Sequence, residues 1–489
     1  MKKIYDCIDR LVRYAEKNLG LDARNATYAR NTVFGILGLD SYGGGFCGDV
    51  TDVVPDALLA EFDDSCVSAG LFGADEAEKY NDAVMGALML LPAEVNDRFA
   101  EIAEKHGSEK ATAWLYDYSV KCDYVKKSKL DSNPRFDANG LVITINKAKP
   151  EFRDPKKAAS GNSTACGYPK CTICRENEGF FGRSKRTLRT VDIKLGGENW
   201  FWQFSPYGYF REHGIAVNSA HVPMHIDGDT FVRLIDFVDI FPHYFIGCNA
   251  PLPRIGGSVL AHDHYQGGGE SLPLHKAGEA ISLKSRVADV KIGVLDWPGT
   301  AVRVTGSNKS AVAEASERLG KAWTDYRNDE LGIINEDGDG MHSAVSPTAV
   351  KTIDGYEMTV VLRNNITSEK YPDGVFHAHP EFHAVKKESI GLIEAQGLFI
   401  LPGRLVGQLS VMEECLTSGK SLPGEFAEFG GIYEELKTLT PHRPTEEQAR
   451  EAIKKELGSV CRRILENTAV FKTHKQTAEF LTATGVCLQ

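Results

Sequence analysis

One run does most to limit what this chain can become: Gly256-Gly257-Ser258-Val259-Leu260-Ala261-His262-Asp263-His264-Tyr265-Gln266-Gly267-Gly268. His262, His264 and Gln266 recur with period two, the period of an extended strand whose alternate side chains share a face. The run therefore predicts a strand over residues 258–266 with three nitrogen-bearing side chains on one side. Glycines at both ends let a ligand approach the backbone closely. Such a face suits a reaction at phosphorus better than a packed core. Neutral imidazole is a good nucleophile near pH 7, and a strand holds it rigidly for in-line attack. Gln266 can hold a phosphoryl oxygen or the imidazole by hydrogen bonds, but an amide cannot give up a proton. A leaving group that needs no proton, such as a sugar phosphate, fits better than an alkoxide or an amine. The competing reading of so short a pattern is a polar surface strand.

The rest of the chain bounds the answer. Its 489 residues suffice for two or three domains, or one composite unit with a large core. A net charge of −11 leaves no broad positive field, which argues against a nucleic-acid partner while allowing a local phosphate site. No run is long enough to cross a bilayer, and Met1-Lys2-Lys3-Ile4-Tyr5-Asp6 turns polar too soon for a secretory signal. Eleven scattered cysteines then read as reduced thiols in a cytoplasmic protein; only Cys166, Cys171 and Cys174 cluster.

Periodicity divides the chain. Ile4, Cys7, Ile8, Leu11, Val12, Ala15 and Leu19 mark an amphipathic helix, and residues 1–130 read as helical throughout. Gly43–Gly48 lacks the spacing of a dinucleotide fingerprint and reads as a turn. Strand character begins near Leu141–Ile145. Residues 186–195 and 199–204 flank Gly196-Gly197 as a hairpin. A helix from Phe231 to Phe241 follows, capped by Asp227 or Asp229. After about residue 285 a similar order recurs, with strands near 290–295, 301–305 and 358–363 and a helix near 311–326. A second alternating element, His377-Ala378-His379-Pro380-Glu381-Phe382-His383, suggests a duplicated α+β unit whose second copy has changed its chemistry. The tail is mostly helical. Ser418-Gly419-Lys420-Ser421 ends like a phosphate loop, but Glu414 stands where the required glycine belongs, so it reads as a loop between helices.

Two further constellations carry chemistry. Cys171-Thr172-Ile173-Cys174 can clamp zinc with two thiolates, with two histidines closing a structural tetrahedron; His221 and His262 are candidates. A redox pair or two ordinary thiols is the alternative. His377, His379, Glu381 and His383 can bind a second metal or line a pocket, or else are a polar strand left by duplication. Arg363-Asn364-Asn365 and Lys386-Lys387 supply donors suited to a phosphate or sugar.

With these residues together, the chain resembles the galactose-1-phosphate uridylyltransferases of the bacterial second type, within the histidine-triad superfamily. The most specific segments are Tyr168 to Gly179, Ser205 to His213, Phe241 to Gln266, Arg363 to His379, and Lys387 to Gly391. The resemblance implies duplicated histidine-triad-like antiparallel sheet units with helical extensions at both ends, an α+β fold. Its parts are a helical region over 1–135, units over 136–285 and 286–410, and a helical region over 411–489. It implies that His264 attacks the α-phosphorus of UDP-glucose, leaving a uridylyl-histidine that galactose 1-phosphate then takes up. Gln266, Gly257 and Ser258 would stabilise the phosphoryl charge. Asn249 would meet the nucleotide and Lys387 the sugar phosphate. Cys171, Cys174, His221 and His262 match the zinc ligands of the first type, and a homodimer is implied. His377 and His379 match part of an iron-type site of some relatives, with no full ligand set. Asp263 and Tyr265 depart from the proline and glycine of the first type. A dinucleoside polyphosphate phosphorylase, a nucleotide hydrolase of the same superfamily, and a non-catalytic zinc-stabilised binding protein are the alternatives; hydrolases typically carry histidine at the place of Gln266.

Overall fold

Amphipathic stripes build the first part of the molecule. The computed structural model describes residues 1–147, 167–257 and 259–488. Cys166, Ser258 and the lysine-bearing stretch over 148–164 lie outside the described residues. The helices are α1 (Lys2–Asn18), α2 (Ala26–Leu37), α3 (Asp56–Ser68), α4 (Ala77–Leu88), α5 (Pro92–His106), α6 (Ser108–Lys121) and α7 (Lys127–Asp131). In α1 the predicted stripe Ile4, Cys7, Ile8, Leu11, Val12 and Ala15 is buried. Residues 43–48 form neither helix nor strand.

Two short strands, β1 (Arg135–Ala138) and β2 (Leu141–Asn146), lead into β3 (Val191–Leu195), β4 (Glu198–Phe204) and β5 (Gly214–Asn218). Gly196 and Gly197 both take positive φ, 58° and 79°, as a two-residue hairpin between β3 and β4 requires. Helix α8 (Gly228–Ile240) starts at Asp227, whose carboxylate accepts the Thr230 N–H at 3.0 Å. Then come β6 (Phe245–Gly247), β7 (His264–Gly268), β8 (Glu279–Lys284), β9 (Val290–Leu295), β10 (Ala301–Gly306), α9 (Lys309–Thr324), the short pair β11 (Glu336–Asp337) and β12 (Gly340–Met341), β13 (Ser343–Thr352) and β14 (Gly355–Asn364). The chain ends with α10 (Leu392–Ala395), β15 (Leu398–Pro402), α11 (Leu405–Ser418), α12 (Gly430–Leu439), α13 (Glu446–Thr468) and α14 (His474–Ala483). Ser418 closes α11 and Gly419 leaves it at φ 67°, so this stretch is the expected interhelical loop. No helix among the described residues is long and apolar enough to cross a membrane.

Ten strands form one sheet in the order β3-β4-β5-β7-β6-β13-β14-β10-β9-β8, with every neighbouring pair antiparallel. Its halves repeat. Each runs strand, strand, strand, helix, strand, strand, and each orders its strands identically from the edge to the β6–β13 junction. The duplicated α+β architecture expected above is thus the observed one.

The two faces differ in chemistry. One carries Trp202, Ala216, Ile246, Tyr265, Val345, Met358, Val360 and Val304 against Phe231, Leu234 and Val238 of α8 and Val312, Leu319 and Trp323 of α9. The buried Trp323 indole donates to both Ala344 O and Arg363 O at 3.0 Å, tying α9 to β13 and β14. Strand alternation sends His264, Gln266, Ser346, Thr348 and Arg363 to the other face. One end of that face, Leu295, Ala301 and Val361, packs into a second core with β2, β15 and α13.

Two expectations need correction. The strand predicted over 258–266 begins only at His264. His262 N–H donates to Val259 O, Asp263 N–H to Val222 O and Met224 N–H to Leu260 O, so the preceding residues wrap against 222–224. The element predicted over His377–His383 is a loop with one 3-10 turn, Pro380–Phe382. The strand that matches β7 in the repeat is β14.

Candidate active site

The site grows from the polar face of β7. Tyr265 points into the core and stacks on Trp200 at 4.7 Å, which leaves His264 and Gln266 on the opposite face. His264 is 5% exposed, and its Nδ1 lies 2.8 Å from His262 O. A carbonyl only accepts, so Nδ1 carries the hydrogen and Nε2 keeps its lone pair. Burial lowers the His264 pKa, outweighing the bond to His262. The ring is therefore neutral near pH 7 and equipped to attack through Nε2.

Beside Gln266, on β6, stands Gly247. A Cβ there would fall 2.6 Å from Thr348 Oγ1 and 2.8 Å from Leu392 Cδ2, so only glycine fits. Asn249 continues this edge, buried, with its Oδ1 accepting Leu392 N–H at 2.9 Å. Gly257 lies against its amide: a Cβ on Gly257 would sit 2.8 Å from Asn249 Nδ2. The structure thus gathers Asn249 and Gly257 into one corner. Ser258 falls outside the described residues.

Arg363 belongs to the same face, three strands from β7, or roughly 14 Å at the usual strand spacing. It is 1% exposed, and all three of its guanidinium nitrogens lack a hydrogen-bond partner among the described residues. Burial lowers its pKa to about 10, opposed by the Glu394 carboxylate, so it stays cationic at neutral pH. A buried cation without a hydrogen-bonded anion is costly, and five free N–H donors in a planar fork suit a phosphate. Of the neighbouring lysines, Lys386 is the buried one, bound to Glu394 at 2.6 Å, Glu388 at 3.1 Å and Ile400 O at 3.2 Å. Lys387 is exposed and makes no ion pair among the described residues.

The CxxC forms a knuckle. Asn177 Nδ2 donates to both Cys171 O and Cys174 O at 2.8 Å and holds it closed. The two Sγ atoms lie 3.4 Å apart; His262 Nδ1 is 3.2 Å from Cys171 Sγ, and His221 Nδ1 is 3.2 Å from Cys174 Sγ. All four ligand atoms fall within 4.8 Å of one another. These separations are near the edges of a tetrahedron with metal bonds of about 2.0–2.3 Å. His262 Nε2 donates to Asn218 O at 2.8 Å, which leaves the Nδ1 lone pair facing the cysteines. The four residues can hold a metal ion, and the two-sulfur, two-nitrogen set suits zinc. Among the described residues no other convergent group of this kind occurs.

The three histidines of 377–383 serve their own loop. His377 Nδ1 donates to Ala378 O, His379 Nε2 to Val375 O and His383 Nε2 to Ala378 O, at 3.0–3.2 Å. Glu381 is exposed, 3.9 Å from His379. Two features were not legible as site features in the sequence. One is the partnerless state of Arg363. The other is His213, whose Nε2 lies 3.2 Å from Gln266 Oε1; its place in the Ser205–His213 resemblance was the available signal.

A family model described as galactose-1-phosphate uridyl transferase, N-terminal domain, matches residues 28–223, and the C-terminal domain model matches 237–418. A galactose-1-phosphate uridylyltransferase of Bifidobacterium longum is 52% identical over 99% of this chain and 98% of its own. Proteins of the same name from Caldanaerobacter subterraneus and Bacillus subtilis are each 36% identical, covering 95% and 97% of this chain and 94% and 95% of theirs. The solved yeast Ap4A phosphorylase Apa2 is more distant, at 11% identity and a TM-score of 0.34 over 65% of this chain and 89% of that one. Two adjoining domain models and relatives matched almost end to end place the chain plainly: it belongs to the galactose-1-phosphate uridyl transferase family.

Proposed function

We propose that this chain transfers the uridylyl group of UDP-glucose to galactose 1-phosphate through a covalent intermediate on His264. Nε2 of His264 attacks the α-phosphorus in line. The bond from phosphorus to the bridging oxygen breaks, and glucose 1-phosphate leaves as an anion that needs no proton. An oxygen of the galactose 1-phosphate phosphate then attacks, the phosphorus–nitrogen bond breaks, and UDP-galactose departs. Two in-line displacements retain configuration at phosphorus. The observation that carries this reading is His264, its Nδ1 bound to His262 O, sharing the polar face of β7 with an amide instead of an acid.

The other residues have stated roles. Gln266 holds phosphoryl oxygens, the Gly257 backbone and Ser258 help stabilise the developing charge, and Asn249 meets the nucleotide. Arg363 pairs with a phosphate and Lys387 with that of the sugar. Cys171, Cys174, His221 and His262 would hold zinc, which would supply a structural clamp. His262 links that clamp to the nucleophile, because its own carbonyl accepts from His264 Nδ1. The repeated strand order supports two units in place of 136–285 and 286–410 as first drawn, with the second opening earlier, at β8 (Glu279–Lys284), between helical regions over 1–135 and 411–489.

The test is a single incubation of the protein with UDP-glucose alone. The expected result is a burst of glucose 1-phosphate, near one per site, and a uridylyl adduct on the His264 peptide by mass spectrometry. Adding galactose 1-phosphate should discharge it as UDP-galactose. An unmodified His264 in enzyme quenched during turnover would overturn the proposal. Adenylyl labelling from a dinucleoside polyphosphate would favour the phosphorylase alternative.

A further inference from the structure

We propose that His213 is a positioning residue which fixes the side-chain amide of Gln266 with its NH2 turned to the substrate. The inference rests on the proposed uridylyl exchange and deepens it.

An amide has two nearly isosteric ends of opposite hydrogen-bonding character. With its NH2 toward a phosphoryl oxygen, Gln266 donates to the charge that builds during displacement. Flipped, it presents a carbonyl oxygen to an anion and repels it. Something must therefore choose between the two orientations, and the geometry points to His213.

The tautomer of His213 follows from its neighbours. Tyr209 N–H donates to His213 Nδ1 at 3.2 Å, so Nδ1 is an acceptor and carries no hydrogen. Burial lowers the ring's pKa to about 4, so it is neutral in the working range and its one proton sits on Nε2. Nε2–H then donates to Gln266 Oε1 at 3.2 Å. With Oε1 occupied, Nε2 of Gln266 has both hydrogens free, and no described protein atom accepts from it.

The ring is itself held. Tyr209 stacks on it with centroids 5.0 Å apart, and Phe210 lies at 4.5 Å. Its backbone closes a turn, His213 N–H to Phe210 O and Ser205 N–H to His213 O, just before β5 begins at Gly214. Strand β5 pairs with β7, Ile215 opposite Gln266, so the sheet register sets the reach of His213 to the amide. A backbone N–H thus selects a tautomer, the tautomer selects an amide orientation, and the amide selects an anion.

The test sets packing against donation. His213→Phe keeps a ring between Tyr209 and Phe210 but removes the donor. His213→Gln keeps a donor near the place of Nε2 and removes the ring. If His213 positions Gln266, His213→Phe lowers kcat for the exchange by roughly 10- to 100-fold, somewhat less than loss of a full oxyanion donor. KM for UDP-glucose should stay within about threefold, and His213→Gln should recover most of the loss. In a Gln266→Ala background, His213→Phe should cost nothing further. Wild-type kcat in a folded His213→Phe protein overturns the inference. Should that variant not fold, His213→Gln decides. Activity near wild type sustains the proposal, and activity at the Gln266→Ala level with normal melting overturns it. A wild-type protein that exchanges no uridylyl group sinks the functional reading instead, so the two failures are distinguishable.

Discussion

The two halves of the central sheet share a strand order and a helix position, yet they carry different chemistry on the same face. In the first half β7 presents His264 and Gln266, with Gly247 beside them. In the second, β14 occupies the matching place and presents Glu357, Thr359, Val361 and Arg363. Glu357 is tied to Arg303 of β10 at 3.0 Å, a local ion pair on the face where the first half carries the imidazole and the amide. Toward the core the halves stay alike: Tyr265 and Ile246 on one side, Met358, Val360 and Val345 on the other, each under its own helix. The core face must remain apolar to hold the helix, so it resists change. The opposite face is not bound by that demand and can exchange a histidine for a carboxylate or an arginine. A shared scaffold sets where a side chain stands and leaves its reaction open.

The comparison can be broken outright at His264. Replacing it with Ala should lower exchange by about 10⁴-fold or more while UDP-glucose still binds, as followed by calorimetry. Full turnover would mean that the halves are not divided into a chemical and a non-chemical one. The next test falls on the second half. Arg363→Met should raise KM for UDP-glucose by about 10- to 100-fold, yet make the unliganded protein more stable by about 1–4 kcal/mol, because it removes a buried charge without a hydrogen-bond partner. An unchanged KM would confine substrate recognition to the first half.

A smaller effect on activity belongs to the clamp. Cys171→Ser should lose metal and lower the melting temperature more than it slows chemistry in the protein that remains folded. Equal zinc in variant and parent, by elemental analysis, would remove the clamp from the account.

The mildest test uses pH and spans both halves. Burial holds His213, His275 and His377 at about 4, against 6.5 for an unperturbed histidine. Between those values the unfolded chain binds protons that the folded chain refuses. The stability they contribute is therefore full above pH 6.5 and drains as pH falls toward 4, by up to about 3 kcal/mol per group. Melting temperatures at pH 7, 6 and 5 should decline, and His213→Gln should make the decline shallower. A flat profile would mean that these rings take up protons in the fold.

Much of this architecture was readable beforehand, for a local reason. The stripe in α1, the Gly196-Gly197 hairpin and the Asp227 cap are patterns within a few residues, and backbone conformation answers to such patterns. The same logic put His264 and Gln266 on one face of a strand. It failed at His377–His383, where a period-two run of histidines is a loop: each ring bonds a carbonyl of residues 375–378, so the spacing reflects local ties and not a strand. It also drew the strand that carries His264 too long, because the turn at 259–263 is imposed by contacts with Asn218 and Val222.

Residue order alone was enough for the helices, the hairpin and the knuckle of cysteines, and it placed His264 and Gln266 on one face of a strand. The packed molecule was needed for the rest: which strand mirrors β7, that Arg363 is buried with no hydrogen-bond partner among the described residues, and that His213 meets an amide 53 residues away. The division has a physical cause. Periodicity and capping act over a few residues and leave their mark in composition. Tautomers, amide orientations and unsatisfied charges depend on which distant atoms the sheet register brings within hydrogen-bonding distance.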